Sequence, residues 1–112
     1  MAAADEVAAP LPPYARTGSA YGIAARSVSF FGFVNPRGST ATAKFQYGPT
    51  KSYGRWAPIG EPELFFVGFH PSEIEASTSG LRPKTTYHFR LVATNEGGTT
   101  YGKDKTFRTL FR

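Results

Sequence analysis

The sequence predicts an all-β protein: a single antiparallel β-sandwich of about seven strands. Turn-forming residues recur at short intervals, at 17–18, 35–38, 47–49, 53–54, 79–80 and 95–98. Between these turns, apolar and polar residues alternate with period two, and no window of ten or more residues shows convincing helical spacing. The chain has 112 residues, of which 15% are aromatic, so it has room for one domain with one compact core.

Alternation predicts which side chains face the core. Residues 27–34 and 86–95 give the clearest patterns, and shorter ones occupy 42–47, 73–81 and 105–110. The predicted inward residues of the two clearest strands are Val28, Phe30, Gly32, Val34, Tyr87, Phe89, Leu91 and Ala93. The predicted outward residues are Ser29, Phe31, Phe33, His88, Arg90 and Val92.

One local motif indicates how two strands are joined. Leu81, Pro83 and Tyr87 stand at alternate positions around a predicted turn. This spacing resembles the tyrosine corner of β-sandwiches, in which the tyrosine hydroxyl bonds back to the backbone a few residues upstream. Such a bond would satisfy a buried polar group and fix the connection between the sheets.

With this motif in place, the chain resembles a fibronectin type III domain of the kind common in bacterial and bacteriophage proteins. The matching stretches are 17–18, 29–38, 45–50, 52–54, 80–95, 97–102 and 106–109, of which 80–95 is the strongest. The resemblance implies a fibronectin type III or immunoglobulin-like sandwich over residues 13–112, preceded by an arm at residues 1–12. It implies little about function, because the family includes spacers, adhesion modules and virion parts.

The first 12 residues do not resemble a secretory signal. Asp5 and Glu6 stand where positive charge is expected, and prolines interrupt the apolar stretch. We therefore expect either a flexible tail or an extended arm that becomes ordered against a neighbour.

Two departures from the family pattern concern the middle of the domain. Thr78 stands where the resemblance implies a large aliphatic residue, and Phe31 and Phe33 stand where it implies polar ones. Leaving two phenylalanines in water forgoes roughly 1.5–3 kcal/mol each. We expect them to be covered either by residues 55–72 or the arm, or by another molecule.

The long segment 55–72 supplies a second group of aromatic residues: Trp56, Phe65, Phe66 and Phe69. Residues 64–69 could form a buried extra strand. The alternatives are an aromatic surface for protein contact or one that stacks on sugar rings.

Charge is distributed unevenly along the chain. Residues 1–81 carry equal numbers of basic and acidic side chains, so the net charge of +5 arises from residues 82–112. We expect either solvated strand faces or a basic patch formed by Arg82, Lys84, Arg90, Lys103, Lys105 and Arg108. Four acidic residues flank the aromatic segment, which raises the hypothesis of head-to-tail contact between copies: Glu61, Glu63, Glu73 and Glu75.

The sequence does not favour catalysis, a metal or a cofactor. The two histidines, His70 and His88, lie in different segments, and no nucleophile signature such as G-x-S-x-G occurs. There is no cysteine, no metal-ligand spacing and no apolar run long enough to span a membrane. Nucleic-acid binding is not favoured either, because no recognition signature accompanies the basic residues.

The sequence therefore predicts a non-catalytic structural or interaction module that acts through protein–protein contacts. Its partner would be a copy of itself or a capsid or tail protein. The preferred setting is a small bacteriophage virion protein, a capsid decoration or tail-associated part that assembles in the cytoplasm. One alternative is an accessory spacer or weak carbohydrate-binding module of an extracellular bacterial enzyme or surface protein. Another is an engineered binder on this scaffold.

Overall fold

The computed structural model describes residues 10–58, 63–65 and 68–112, with the backbone alone at 63–65. These residues form nine strands and no helix, which confirms the predicted antiparallel sandwich. The strands are β1 Tyr14–Tyr21, β2 Ser27–Asn35, β3 Ala41–Gly48, β4 Arg55–Ala57, β5 Glu63–Phe65, β6 Ser72–Ser79, β7 Thr86–Asn95, β8 Gly98–Tyr101 and β9 Lys105–Arg108.

The nine strands form two sheets. The three-stranded sheet has the order β1-β2-β6, and the six-stranded sheet is built around β3 and β7. In the latter, β4 and β5 pair with successive parts of β3, while β8 and β9 pair with successive parts of β7. β4 and β5 thus share one edge of this sheet, and β8 and β9 share the other edge. Counted by position in the two sheets, the described strands occupy seven places.

The core lies between the sheets and is rich in aromatic rings. Val28, Phe30 and Val34 of β2 are at most 2% exposed, as alternation predicts. The Phe30 ring stacks on Phe89 of the opposite sheet at 4.7 Å between centroids and contacts Phe45 at 5.4 Å. Aromatic rings from both sheets thus meet in the centre of the core.

Val92 behaves differently from the other outward residues of β7. It lies on the outer face of the six-stranded sheet, yet only 8% of it is exposed. Its cross-strand neighbours are Lys44 on β3 and Tyr101 on β8, whose long side chains flank it.

The predicted turn at residues 17–18 is wrong, because Thr17 and Gly18 lie inside β1. The pairing of β1 with β2 shifts register between Thr17 and Ala20, which is a β-bulge. The Thr17 hydroxyl accepts a hydrogen bond from the Leu91 amide at 3.1 Å and so ties β1 to the other sheet. Thr17 and Gly18 therefore contribute to a contact between the sheets. In the sequence alone, a Thr-Gly pair at a bulge cannot be distinguished from one at a turn.

Residues 10–13 run beside the turn between β7 and β8. The Asn95 side-chain amide donates to the Leu11 carbonyl at 2.8 Å, and the Thr100 hydroxyl donates to the Pro13 carbonyl at 2.5 Å. The last part of the predicted arm is thus held against the sandwich, while residues 1–9 lie outside the described ranges.

Candidate protein-interaction surface

The outer face of the three-stranded sheet carries a mixture of aromatic and charged residues. Because β2 lies between β1 and β6, the strand register sets its rows: Arg16 pairs with Phe33, and Phe33 pairs with Glu73. In the next row, Phe31 lies between the β1 bulge and Glu75. We call this surface the aromatic face and define it by Arg16, Tyr21, Phe31, Phe33, Glu73 and Glu75.

Phe31 and Phe33 project from the aromatic face and are only partly buried. Their rings meet edge to face at 5.9 Å between centroids. The Tyr21 ring lies 6.0 Å from Phe31, and the Arg16 guanidinium lies 5.8 Å from the Phe33 centroid. These two contacts come from β1, which the sequence pattern does not reveal as a strand.

Of the two covers considered from sequence, the arm and strand β4 lie away from Phe31 and Phe33, whereas Pro71 of segment 55–72 borders the hollow beside Phe33. Strand β4 pairs with β3 in the other sheet, and residues 10–13 lie beside the β7–β8 turn. The Phe69 carbonyl accepts a hydrogen bond from the Asn35 side chain at 2.9 Å, which places residue 69 at the end of β2. The aromatic face thus remains accessible over the described residues.

The aromatic face is not flat, because two open hollows lie in it. One of about 730 Å³ is lined by Tyr14, Arg16, Phe33, Asn35, Pro71 and Glu73. A second of about 320 Å³ is lined by Tyr21, Phe31, Glu73 and Glu75. Tyr14 and Tyr21 belong to β1 and line the β1 side of these hollows, where they are 45% and 42% exposed.

Opposite charges occupy opposite sides of the aromatic face. Arg16 lies on the β1 side, whereas Glu73 and Glu75 lie on β6. The Tyr21 hydroxyl donates a hydrogen bond to the Glu75 carboxylate. This bond is the main reason that the pKa of Tyr21 is raised.

The second aromatic group is not brought together in the described residues. Trp56 lies on the outer face of the six-stranded sheet, 41% exposed, with the Lys44 ammonium 5.6 Å from its ring. Phe69 is 69% exposed and its ring lies against Gly38. Phe65 belongs to β5, whose side chains are not described, and Phe66 lies outside the described residues.

The structure distributes the six residues of the predicted basic patch over several places. Arg82, Lys84 and Arg108 lie at one end of the sandwich, and Lys103 is exposed between β8 and β9. Lys105 donates to the Gly18 carbonyl at 2.7 Å, bridging the two sheets.

Arg90 is held within the outer face of the six-stranded sheet. Its guanidinium lies between the rings of Tyr53 and Tyr101, at 4.6 and 4.2 Å, and Nε donates to Gln46 at 2.8 Å. The guanidinium charge of Arg90 and one of its hydrogen-bond donors are therefore engaged by residues of this chain.

Two further cations join the basic end of the sandwich. Backbone hydrogen bonds connect the loops there: Leu81 N to Arg26 O at 3.1 Å and Lys84 N to Leu110 O at 3.0 Å. Arg26 and Arg112 therefore lie near Arg82, Lys84 and Arg108. Arg26 was missed because it is more than 50 residues away from the others in sequence, and only the fold brings it close.

A polar cluster fixes the interruption between β8 and β9. The Asp104 carboxylate accepts hydrogen bonds from the Tyr53 hydroxyl at 2.6 Å and from His88 Nδ1 at 2.9 Å. Burial acts to raise the pKa of Asp104, but these two hydrogen bonds, together with the charges of His88 and Lys51, outweigh it and the pKa is lowered. Burial, followed by the bond to Asp104, raises the pKa of Tyr53 to about 12.

The predicted tyrosine corner has the hydrogen bond that its geometry requires. The Arg82 amide donates to the Tyr87 hydroxyl at 2.9 Å, and Tyr87 is 4% exposed. Leu81 is buried beside it, and the Pro83 carbonyl accepts a bond from the Thr85 hydroxyl at 2.9 Å.

In residues 10–58, 63–65 and 68–112, no three His, Asp or Glu side chains are grouped so that they could hold a metal ion. Within the same ranges, no helix has the length and hydropathy needed to cross a membrane.

The two-sheet topology and the tyrosine corner together define a fibronectin type III-like β-sandwich. No protein-family model matches the sequence, and no curated protein matches it significantly. Solved structures do match, and three of them are structures of one sensor domain, that of the anti-sigma factor RsgI4 in Pseudobacteroides cellulosolvens.

The similarity to these structures is one of fold. A short form of the RsgI4 sensor domain is 24% identical, with a TM-score of 0.64 over 88% of this chain and 95% of that one. Its solution structure is 21% identical, with a TM-score of 0.65 over 87% and 74%. A fibronectin type III domain of human KIAA0970 is 18% identical, with a TM-score of 0.50 over 86% and 72%. The fold is thus shared with sensor domains and with fibronectin type III domains.

Proposed function

We propose that this chain is a non-catalytic interaction module that binds a protein partner through the aromatic face. The observation that carries the proposal is the accessible pair Phe31 and Phe33 at the centre of an outer sheet face. The outer faces of antiparallel sheets that meet water are normally polar. Two adjacent phenylalanines on such a face therefore indicate a surface that becomes buried in a complex.

The residues around this pair match those of protein interfaces. Aromatic and arginine side chains are enriched in interface cores, with polar groups at the rim. On the aromatic face, Tyr21 and Arg16 border the phenylalanines, and the exposed Glu73 borders them on the other side.

The ring geometry favours a protein over a sugar as the ligand. The planes of Phe31 and Phe33 are inclined by 86°, so the two rings do not form one flat platform for stacking on sugar rings. A protein side chain can fill the hollows beside them, which are lined by both apolar and charged groups.

Two cellular settings are consistent with such a module. A virion decoration or tail-associated protein would use the aromatic face to join an assembly. A sensory protein would carry the domain as its binding part, as the similar sensor domain is part of the anti-sigma factor RsgI4. Neighbouring genes distinguish them: capsid and tail genes support the first setting, and sigma-factor genes support the second.

The proposed function is tested by selecting ligands for the chain. A random peptide library and a glycan array are screened against the wild-type chain and a Phe31→Thr/Phe33→Thr variant. Threonine keeps the strand propensity while removing the rings. Trp56→Ser is the matched control, because it removes an exposed aromatic ring from the opposite sheet.

The proposal predicts enriched peptides that lose binding to the double variant and retain it with the control. Since interface energy is concentrated in a few aromatic anchors, the loss should be at least about tenfold. Peptides that bind both variants equally, or glycans that bind where peptides do not, would contradict it.

A further inference from the structure

We propose that the aromatic face of one copy binds the same face of a second copy, around a twofold axis parallel to the strands. This inference rests on the proposed function, because it names the partner of that same surface. It also specifies how the two copies are oriented relative to each other, and this orientation follows from the strand register.

The row through Phe33 is complementary to itself. Arg16, Phe33 and Glu73 lie side by side on β1, β2 and β6, so a positive and a negative side chain flank an aromatic ring. Neighbouring strands are about 4.8 Å apart, which places Arg16 and Glu73 about 10 Å apart across β2. Each chain therefore presents both charges, one on each side of the axis.

A twofold axis along β2 exchanges the two sides of the face. It places Arg16 of one copy opposite the partner's Glu73, and Glu73 opposite the partner's Arg16. The dimer would contain two ion pairs around a centre formed by Phe31 and Phe33 of both copies. A twofold axis across the strands would instead place Arg16 opposite Arg16, so charge selects the first orientation.

The strand directions also agree with this axis. Rotation about β2 places β2 over the partner's β2 and β1 over the partner's β6. The strands of the two faces would then run close to aligned, as in ordinary sheet-on-sheet packing.

The surface available for this contact is small. Three strands of eight or nine residues offer a face at the small end of specific interfaces. We expect a dissociation constant of roughly tens of micromolar, weak enough for monomer and dimer to coexist in solution.

The test uses charge reversal and mixing. Sedimentation equilibrium is measured from about 5 µM to about 500 µM for the wild-type chain, Arg16→Glu, Glu73→Arg and an equimolar mixture of the two variants. Lys103→Glu is the control, because it reverses an exposed charge away from the face. Thermal unfolding of each variant establishes that it is folded.

The proposal predicts a dimer for the wild type and for Lys103→Glu, and at least about tenfold weaker dimerisation for each reversed variant alone. The mixture should recover to within about threefold of the wild type, because the two acidic side chains of the Arg16→Glu face would lie opposite the two basic side chains of the Glu73→Arg face. If a single variant does not fold, the Arg16→Glu/Glu73→Arg chain carries the test, since both pairs are restored within one sequence.

Three results would overturn it. A wild-type chain that stays monomeric excludes a second copy as the partner, although peptide selection on the face would still support the proposed function. If Arg16→Glu dimerises as strongly as the wild type, the two copies meet through a surface other than the aromatic face. Weakened single variants whose mixture does not recover exclude this twofold arrangement.

Discussion

The hydroxyls of Tyr47 and Thr78 lie 2.7 Å apart and join the two sheets through the core. Tyr47 belongs to β3 and Thr78 to β6, and they are only 3% and 8% exposed. Each hydroxyl thus satisfies the other in a place where water has little access. This pair accounts for the polar residue at position 78, where an aliphatic one was expected.

A double-mutant cycle tests this pairing. Tyr47→Phe or Thr78→Val alone leaves one buried hydroxyl without its partner, and we expect each to lower the free energy of unfolding by about 1–3 kcal/mol. The double variant removes both hydroxyls, so its loss should be clearly smaller than the sum of the two. Urea denaturation measures all four chains. Strictly additive losses would show that the two hydroxyls do not interact.

Removing the hydroxyl of the tyrosine corner should destabilise the protein without changing its fold. In Tyr87→Phe the Arg82 amide loses its acceptor, while the ring can keep its stacking on Phe107 at 5.6 Å. We expect a loss of about 1–3 kcal/mol in urea denaturation. Tyr101→Phe removes an exposed hydroxyl and should change stability far less. Equal losses in the two variants would contradict a special role for Tyr87.

Alkaline pH should weaken the fold through Tyr53. Its pKa is raised from 10.0 to about 12 in the folded chain, so the neutral form is favoured by folding. The resulting stability is fully present below pH 10 and is lost as pH rises through about 12. Between these values, the free energy of unfolding should fall more steeply for the wild type than for Tyr53→Phe. Parallel pH profiles would contradict the raised pKa.

The bulge in β1 should require glycine at position 18. A Cβ there would lie 2.4 Å from the Phe31 carbonyl oxygen and 2.9 Å from its ring, closer than side chains tolerate. Gly18→Ala should therefore cost about 1–3 kcal/mol and displace Phe31. Ser19→Ala, at the exposed neighbouring position, is the control for thermal unfolding. A Gly18→Ala chain as stable as this control would show that the bulge can relax.

The sequence was most informative where one face of a strand is buried. Alternation correctly gave the inward sets of β2 and β7 and left Phe31 and Phe33 on the outside, because the side chains of a strand alternate between its faces. It could not reveal β1, in which the bulge at Thr17 and Gly18 interrupts that alternation.

The composition of the surfaces depends on strand order, which local patterns do not contain. Arg16 and Glu73 are 57 positions apart and become neighbours of Phe33 only because β2 lies between β1 and β6. The same reason separates Arg90 and Lys105 from the basic end. Counting charges along the chain therefore predicts the excess of positive charge, but not how the basic residues are distributed over the folded surface.

A nuclear magnetic resonance concentration series on the wild-type chain tests the central claim most directly. Between about 10 µM and about 1 mM, the account predicts shifts concentrated at Arg16, Phe31, Phe33 and Glu73. Thr94, on the opposite outer face, should not move. Shifts that instead cluster around Thr94 and Tyr101, with the aromatic face unchanged, would contradict the claim.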